Sequence, residues 1–345
     1  MLYFMLIYVI STYPFIRKIQ NKKMVIFLEL FPMFLVLAFQ QAIGTDYYAY
    51  IRIFNQEIIF NYSRGPLFKI LVLFLKNIFN NERSLFITVA IIQMILFYKI
   101  INILYEKKFI KDIPLFIFLA ITTSNFYLMM FNGLRSSIAS LFIALSILIL
   151  LENKFLKSFL LIMLGCSFHP SVFIWNGIFC IKNILYKKSK IKNWIIFILL
   201  CFILNKLNFI RNLAGIIYES GLEIPYRHYL ISYHMFPYVK TFGIATIINM
   251  VIFIYSLYIV YKNETDKEKI FIYNIGYFFF GLLLLFAGIP VFSRILEPSN
   301  LFRNYIIYNL IERLLEKRIF WGVILFVIYY ILVFIRSSFL LVPAV

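Results

Sequence analysis

The sequence predicts an all-α protein that crosses a membrane many times, and three observations support this prediction. Apolar residues make up 63% and aromatic residues 20% of the 345 residues, while charged residues make up only 14%. Stretches of about 20 apolar residues, the length that spans a bilayer as a helix, recur along the whole chain between short charged connections. No stretch is polar enough for a soluble domain, so we predict a single integral membrane domain over residues 1–345 with about ten or eleven spans.

The basic residues set the expected topology. The net charge is +19, and the lysines sit in short clusters between apolar stretches rather than along one continuous face. This pattern is typical of cytoplasmic anchoring by the positive-inside rule, and it argues against nucleic acid as a partner. The clusters lie at residues 17–23, 107–111, 154–157, 182–192, 262–269 and 313–318. If all six are cytoplasmic, an even number of crossings must separate each cluster from the next.

The first cluster follows an apolar stretch at residues 1–16, which lacks a basic start and a cleavage site and is therefore expected to be a first span. Three further apolar stretches, 24–40, 66–80 and 84–104, precede the second cluster, so one of them cannot cross. The stretch 66–80 is short and carries Lys69 and Lys76 on one helical face, which favours a re-entrant or interfacial helix. Residues 41–83 then form one long outer segment.

Two polar interruptions mark the middle of the chain. The stretch 113–151 is too long for one span and is broken by Asn132-Gly133-Leu134-Arg135, which predicts the tip of an outward-pointing hairpin. The stretch 158–181 is broken by Ser167-Phe168-His169-Pro170, and a proline disfavours helix in the residue before it. We expect two half-helices that turn near His169, with a single kinked span as the alternative.

The rest of the chain continues in the same pattern. We predict spans at 194–208, 241–261, 270–289, 300–311 and 319–335, with an outer loop at 209–240 and an outer turn at 290–299.

This topology sorts the ionisable residues unevenly. It places on the outer side one aspartate, Asp46, the histidines His169, His228 and His234, and the arginines Arg52, Arg64, Arg135, Arg211, Arg227, Arg294 and Arg303. Arginine presents a rigid charged fork that pairs with phosphate through two hydrogen bonds, so a lipid diphosphate is a natural ligand for this face. Arg135 and Arg294 are the first candidates, because each sits at a turn between apolar stretches where a charge is costly unless it is used.

Asp46 and His169 are the candidate titratable groups. Asp46 follows Gly44-Thr45 as the second span ends, where a helix cap or turn residue is the alternative interpretation. His169 lies at the expected re-entrant tip, where it could instead begin a half-helix capped by Ser171. His228 and His234 lie in a polar, tyrosine-rich loop suited to a sugar chain, but their spacing is not one helical turn. We therefore expect no metal and no cofactor.

Four short motifs, in this order along the chain, resemble a known family. They are Gly44-Thr45-Asp46-Tyr47 with Tyr50 and Phe54, Phe131-Asn132-Gly133-Leu134-Arg135 with Ile138-Ala139, Phe168-His169-Pro170-Ser171, and Ser293-Arg294-Ile295-Leu296. Together they resemble the EpsG-like branch of Wzy-type polysaccharide polymerases. This chain departs from that pattern in two places: it has Gln40 and Gln41 where the family often has an arginine, and Ser136 where a glutamine often follows the hairpin arginine.

The resemblance implies an activity and a fold. The fold would be a GT-C-like helical membrane glycosyltransferase in the bacterial plasma membrane, with no cofactor. The activity would be the joining of oligosaccharide repeat units carried on undecaprenyl diphosphate, at the outer face, and a chain-length regulator and a flippase of the same pathway would be its partners. In that reaction Arg135 and Arg294 would stabilise the diphosphate leaving group, and His169 or Asp46 would be the general base. Arg52, Arg211, Arg227 and His228 would be further substrate contacts.

Two other functions remain open from the sequence. A transporter or flippase for the same lipid-linked sugars would also use outward arginines, although it would need a polar path through spans that are nearly free of polar residues apart from Glu29. A membrane O-acyltransferase would need a histidine that can reach a cytoplasmic acyl donor, and the histidines are expected on the opposite side.

Overall fold

A computed structural model describes residues 2–44, 46–56, 65–123, 126–220, 243–287 and 295–339. Every regular element in these ranges is a helix, which confirms the predicted all-α class. The chain divides into two compact units: the first comprises Met1–Cys180 with Ile307–Val345, and the second comprises Ile181–Ile306. The boundaries of the single membrane domain predicted from composition stay a prediction.

The helices that begin in the first unit follow one another closely. They are α1 (Leu2–Ile16), α2 (Lys22–Ala38), α3 (Tyr47–Phe54), α4 (Pro66–Phe79), α5 (Arg83–Glu106), α6 (Ile113–Thr122), α7 (Phe126–Asn132), α8 (Leu134–Leu151), α9 (Phe155–Phe168), a 3-10 helix (Pro170–Asn176) and α10 (Gly177–Leu185). Later in the chain come α11 (Ile191–Lys206), α12 (Phe209–Glu219), α13 (Ile244–Ser256) with a π-helical turn (Leu257–Tyr261), α14 (Lys267–Leu285), a 3-10 turn (Glu297–Ser299), α15 (Asn300–Glu316) and α16 (Phe320–Phe339).

Several of these helices are suited to a bilayer. Five are long and apolar enough to cross it: Arg83–Glu106, Leu134–Leu151, Ile244–Tyr261, Lys267–Leu285 and Phe320–Ser338. The pair α6 and α7, bent by 57°, makes a sixth if it is one span. The multi-pass membrane character is therefore confirmed. Elements such as α1, with 15 residues, and α9, with 14, are shorter than the roughly 20 residues of a full span, so the described residues leave the number of ten or eleven spans a prediction.

The predicted interruptions are helix boundaries. Helix α7 ends at Asn132 and α8 begins at Leu134, with Gly133 between them. Helix α9 ends at Phe168, and His169 takes an extended conformation before the 3-10 helix that Pro170 begins. The direction in which the chain continues after His169 stays a prediction. A further break between α6 and α7 was not predicted from the sequence.

The stretch predicted to be a re-entrant or interfacial helix forms α4, which has one side buried against the protein and an exposed apolar side. Phe68, Val72 and Leu75 are buried against the protein, whereas Ile70, Phe74 and Ile78 are more than half exposed. A helix with a protein-facing and an apolar exposed side is suited to the boundary between protein and lipid.

Basic clusters that the topology places on one side do meet. In the first unit Arg17 lies 3.4 Å from the Asp112 carboxylate, and Lys111 lies 3.2 Å from Glu316. In the second unit the Lys188 ammonium donates to the carbonyls of Lys262 and Glu264, both at 2.7 Å. These contacts agree with a shared side for the clusters within each unit.

Buried amides hold the second unit together by bonding the ends of helices. The Asn274 side chain donates to the carbonyls of Leu185 and Lys187, at 2.7 and 3.0 Å, and accepts from the Tyr261 hydroxyl at 2.8 Å. The Asn205 amide similarly donates to the carbonyls of Leu285 and Ala287. The last carbonyls of a helix have no partner within it, and inside a membrane protein an unpaired carbonyl is costly, so these amides satisfy α10 and α14.

We predict that Asn274→Ala lowers the free energy of unfolding by about 1–3 kcal/mol, because it leaves the buried Leu185 carbonyl without its bond and the buried Tyr261 hydroxyl without its acceptor. The measurement is thermal unfolding of the purified full-length protein in detergent. Asn212→Ala, at an exposed position of α12, is the control and should melt like the wild type. Equal melting of both variants would contradict the prediction.

Candidate functional site

The candidate site lies in the first unit, where the segment around Asp46 meets the break between α7 and α8. The backbone N–H of Asp46 donates to the Asn132 side-chain oxygen at 3.0 Å. Gly44 has a φ of +87°, and a Cβ there would lie 3.1 Å from the same oxygen. Glycine at this position thus permits both the turn and the close approach. Two motifs that the sequence shows separately are in direct contact.

The break itself is held by a side chain from α5. Gln93 is fully buried, and its amide donates to the Met130 carbonyl at 3.3 Å and to the Ser137 hydroxyl at 2.7 Å. Met130 precedes the break and Ser137 follows it, so one amide fixes both sides. Gln93 was not predicted from the sequence, although an amide in the middle of the apolar stretch 84–104 was a usable signal.

Arg135 lies one residue into α8, above an aromatic pair. Its guanidinium carbon is 5.8 Å from the centre of the Phe68 ring, a cation–π distance. Phe68 is completely buried, and Tyr50 of α3 packs edge-on against it at 5.8 Å. The positive end of the α8 dipole adds to the charge of the arginine, so this position favours an anion.

Helix α4, which carries Phe68, begins beside the residue that precedes His169 in the chain. Gly65, immediately before α4, has a φ of +134°, and a Cβ there would lie 2.4 Å from the Phe168 carbonyl oxygen. Phe168 is the residue before His169, whose Nδ1 lies 2.6 Å from the Ser171 hydroxyl. Ser171 therefore bonds the imidazole and forms no side-chain cap on the 3-10 helix. Gly65 was also missed, because nothing local predicts a contact with a distant carbonyl.

The structure brings some of the sequence candidates together. The elements that carry Asp46, Arg135 and His169 are linked through Asn132, Phe68 and Gly65. Arg52 is exposed in the last turn of α3. Arg211 belongs to α12 in the second unit, and Arg227, His228 and Arg294 lie outside the described residues. Within the described ranges, no three His, Cys, Asp or Glu side chains are grouped closely enough to hold a metal ion.

Arg83 is a further basic residue at this end of the unit. It begins α5, and its guanidinium donates to the Gln40 carbonyl at 2.8 Å. One turn later Phe86 stacks on Tyr47 at 5.0 Å. Burial raises the pKa of the Tyr47 hydroxyl, and the nearby Arg83 charge opposes that rise. The criterion that singled out Arg135, a charge where an apolar helix begins, also fits Arg83.

Comparison with known proteins gives one match. A family model described as the EpsG family matches residues 23–343, nearly the whole chain. Searches of curated proteins and of solved structures find no match.

We predict that Gly65→Ala displaces α4 from Phe168 and lowers the free energy of unfolding by about 1–3 kcal/mol, because the substituted residue is strained and its Cβ meets a backbone oxygen. Thermal unfolding of the purified protein measures the change. Gly177→Ala is the control, since a Cβ at Gly177 has nothing within 4 Å. A Gly65→Ala variant that melts like the wild type would disprove the close contact.

Proposed function

Because the chain belongs to the EpsG family, we propose that it is a polysaccharide polymerase of the bacterial plasma membrane. It joins oligosaccharide repeat units carried on undecaprenyl diphosphate, at the outer face. The family match supports an exopolysaccharide-related polymerase, and the site residues support the finer statement about the lipid diphosphate.

One observation supports the proposal most strongly. Asp46, Arg135 and the residue before His169 are far apart in the chain, yet their elements contact one another in the first unit. An anion-binding arginine and two candidate bases grouped in this way suit a glycosyl transfer with an anionic leaving group.

The proposed reaction is a displacement at the anomeric carbon of the growing chain. A terminal hydroxyl of the incoming lipid-linked unit attacks this carbon, and a new glycosidic C–O bond forms. The bond from the same carbon to the diphosphate breaks, and the bonding electrons leave with the diphosphate. The proton of the hydroxyl passes to a general base. The growing chain is thereby transferred to the incoming unit, which keeps its own lipid diphosphate.

Arg135 has the role of stabilising the departing diphosphate. Negative charge increases on the bridging oxygen as the bond breaks, and a guanidinium that is already positioned strengthens its interaction at that moment. The Phe68 ring supports one face of the guanidinium, and the N–H groups at its edge can bind phosphate oxygens. Arg294 is assigned the same role from its sequence motif alone, and Arg52, Arg211, Arg227 and His228 are proposed as further substrate contacts.

His169 and Asp46 are the two candidates for the base. The hydrogen bond to Ser171 fixes the imidazole plane through Nδ1, which makes Nε2 the nitrogen suited to receive a proton when Ser171 accepts from Nδ1. The bond from the Asp46 backbone to Asn132 fixes the position of that residue beside the break. The Ser171 contact thus holds the His169 side chain, and the Asn132 contact holds the Asp46 backbone.

We predict that Arg135→Ala lowers polymerisation by roughly 100-fold or more, the usual cost of removing a donor to a developing anion. The assay resolves the glycan of the native host by length and quantifies the protein in the membrane. Single-unit glycan should accumulate, and Arg135→Lys should restore part of the polymer. Arg313→Ala, which removes an exposed ion pair with Glu316, is the matched control. Polymer of normal length from a stably present Arg135→Ala protein would disprove the proposed function.

We predict that one of His169→Gln and Asp46→Asn lowers the rate of polymerisation by roughly 100- to 10,000-fold while the other has a much smaller effect, because one proton acceptor suffices. The rate is measured in membranes supplied with the lipid-linked repeat unit of the host, over a range of pH. If both variants polymerise at the wild-type rate, neither residue is the base.

A further inference from the structure

A cleft of about 570 Å³ opens where α2 ends and α5 begins, at the predicted outer end of these helices. It is lined by Phe39, Gln41, Ile43 and Arg83, and we call it the arginine cleft. It is separate from the Arg135 position, which lies at the start of α8 over Phe68.

The Arg83 guanidinium gives this cleft its charge. One of its N–H groups donates to the Gln40 carbonyl, which holds the side chain in place. No carboxylate of the described residues forms an ion pair with it. A guanidinium carries five N–H donors in a rigid fork, so a held arginine retains donors that match the oxygens of a phosphate.

A second opening, of about 450 Å³, lies further along the same two helices. Its walls are Phe27, Leu30, Phe31 and Phe34 of α2 and Ile91, Met94, Ile95, Tyr98 and Lys99 of α5, and we call it the aromatic groove. Phe27 and Phe31 stack at 5.6 Å, and Phe31 and Phe34 lie 6.4 Å apart. Phe27 is 59% and Ile95 50% exposed, so the groove is open from the side.

The two openings lie at different heights along the same pair of helices. With a rise of 1.5 Å per residue along a helix, Ile91 and Ile95 lie about 12 and 18 Å from Arg83. The cleft suits an anion near the membrane surface, and the apolar groove begins about 12 Å below it. This arrangement fits an amphiphile with a phosphate head and a long, narrow tail.

We propose that the arginine cleft and the aromatic groove together bind one prenyl diphosphate lipid, with the diphosphate on Arg83 and the isoprenoid chain along Phe27, Phe31 and Phe34. A row of rings on one helix face offers flat apolar surfaces to the planar double bonds of successive isoprene units. A bilayer phospholipid has two acyl chains, and one groove matches these less well than a single isoprenoid chain.

This inference rests on the proposed function and adds to it the binding site of the second substrate, the acceptor. A donor loses its diphosphate at the reacting carbon, so its phosphates must lie at the catalytic residues. An acceptor reacts through a hydroxyl at the far end of its oligosaccharide, so its diphosphate must lie about one repeat unit away. We assign the arginine cleft to the acceptor, whose diphosphate is held and never cleaved.

A direct binding experiment tests the site. The purified full-length protein in detergent is titrated with undecaprenyl diphosphate and, separately, with phosphatidic acid, and bound lipid is counted by native mass spectrometry. We expect the prenyl diphosphate to bind more tightly, and Arg83→Ala to weaken it about tenfold, the effect of one charge-assisted pair. Arg313→Ala should bind like the wild type. Equal affinity for the two lipids would mean a general lipid site and overturn the proposal.

The groove has its own test and matched control. Ile95→Trp fills the groove from α5, and Ile78→Trp adds the same ring to the exposed face of α4. The two isoleucines are matched, because both are about half exposed. We expect Ile95→Trp to weaken undecaprenyl diphosphate binding and Ile78→Trp to leave it unchanged. The proposal fails if either Arg83→Ala or Ile95→Trp binds like the wild type while folded.

Glycan length in the host separates this proposal from the proposed function. Arg83→Ala and Ile95→Trp should shift the glycan toward shorter chains, and raised levels of lipid-linked unit should partly restore the length, because binding is weakened and the chemistry is not. If Arg135→Ala abolishes polymer while both of these variants make normal glycan, the proposed polymerase function is supported and the proposed acceptor site is wrong. If Arg135→Ala makes normal polymer, the proposed function fails first.

Discussion

The fold depends on one constraint: inside a bilayer every backbone N–H and carbonyl must find a partner within the protein. Uninterrupted helices meet this requirement by themselves, and each helix break leaves groups that side chains must satisfy. The described breaks show such side chains. Asn132 accepts the Asp46 N–H, Gln93 bonds the Met130 carbonyl, and Asn274 bonds the carbonyls after α10. A break is therefore also a place where polar side chains are gathered.

The candidate site lies where such polar side chains meet. The break between α7 and α8 frees the start of α8, and the Arg135 side chain lies there over Phe68. The same surroundings hold the turn at Gly44 and the contact between Gly65 and Phe168. The breaks provide positions at which an arginine is tolerated, and the proposed handling of a lipid diphosphate requires such positive charge near the membrane surface.

Charges at the two ends of the first unit are used differently. At the end near α1 and α6, lysine and arginine form ion pairs with acidic residues, as Arg17 does with Asp112 and Lys111 with Glu316. These pairs fasten helix ends. At the other end Arg83 is held by a neutral carbonyl, and Arg135 lies over an aromatic ring. Neutral and aromatic partners position a guanidinium without cancelling its charge.

The sequence by itself determined the all-α membrane class, the helix at 66–79, and the breaks at Gly133 and His169. Each of these follows from apolar length, helical periodicity, or a glycine or proline, which act on their own neighbours. It also selected Asp46, Arg135 and His169 as candidates. Only the tertiary structure decided that Gly65 touches the Phe168 carbonyl and that Gln93 fixes the break. It also decided that Arg83 lies beside Gln40. The family often has an arginine at the position of Gln40. These contacts join residues from different helices, and helix packing, which no local pattern encodes, sets which of them meet.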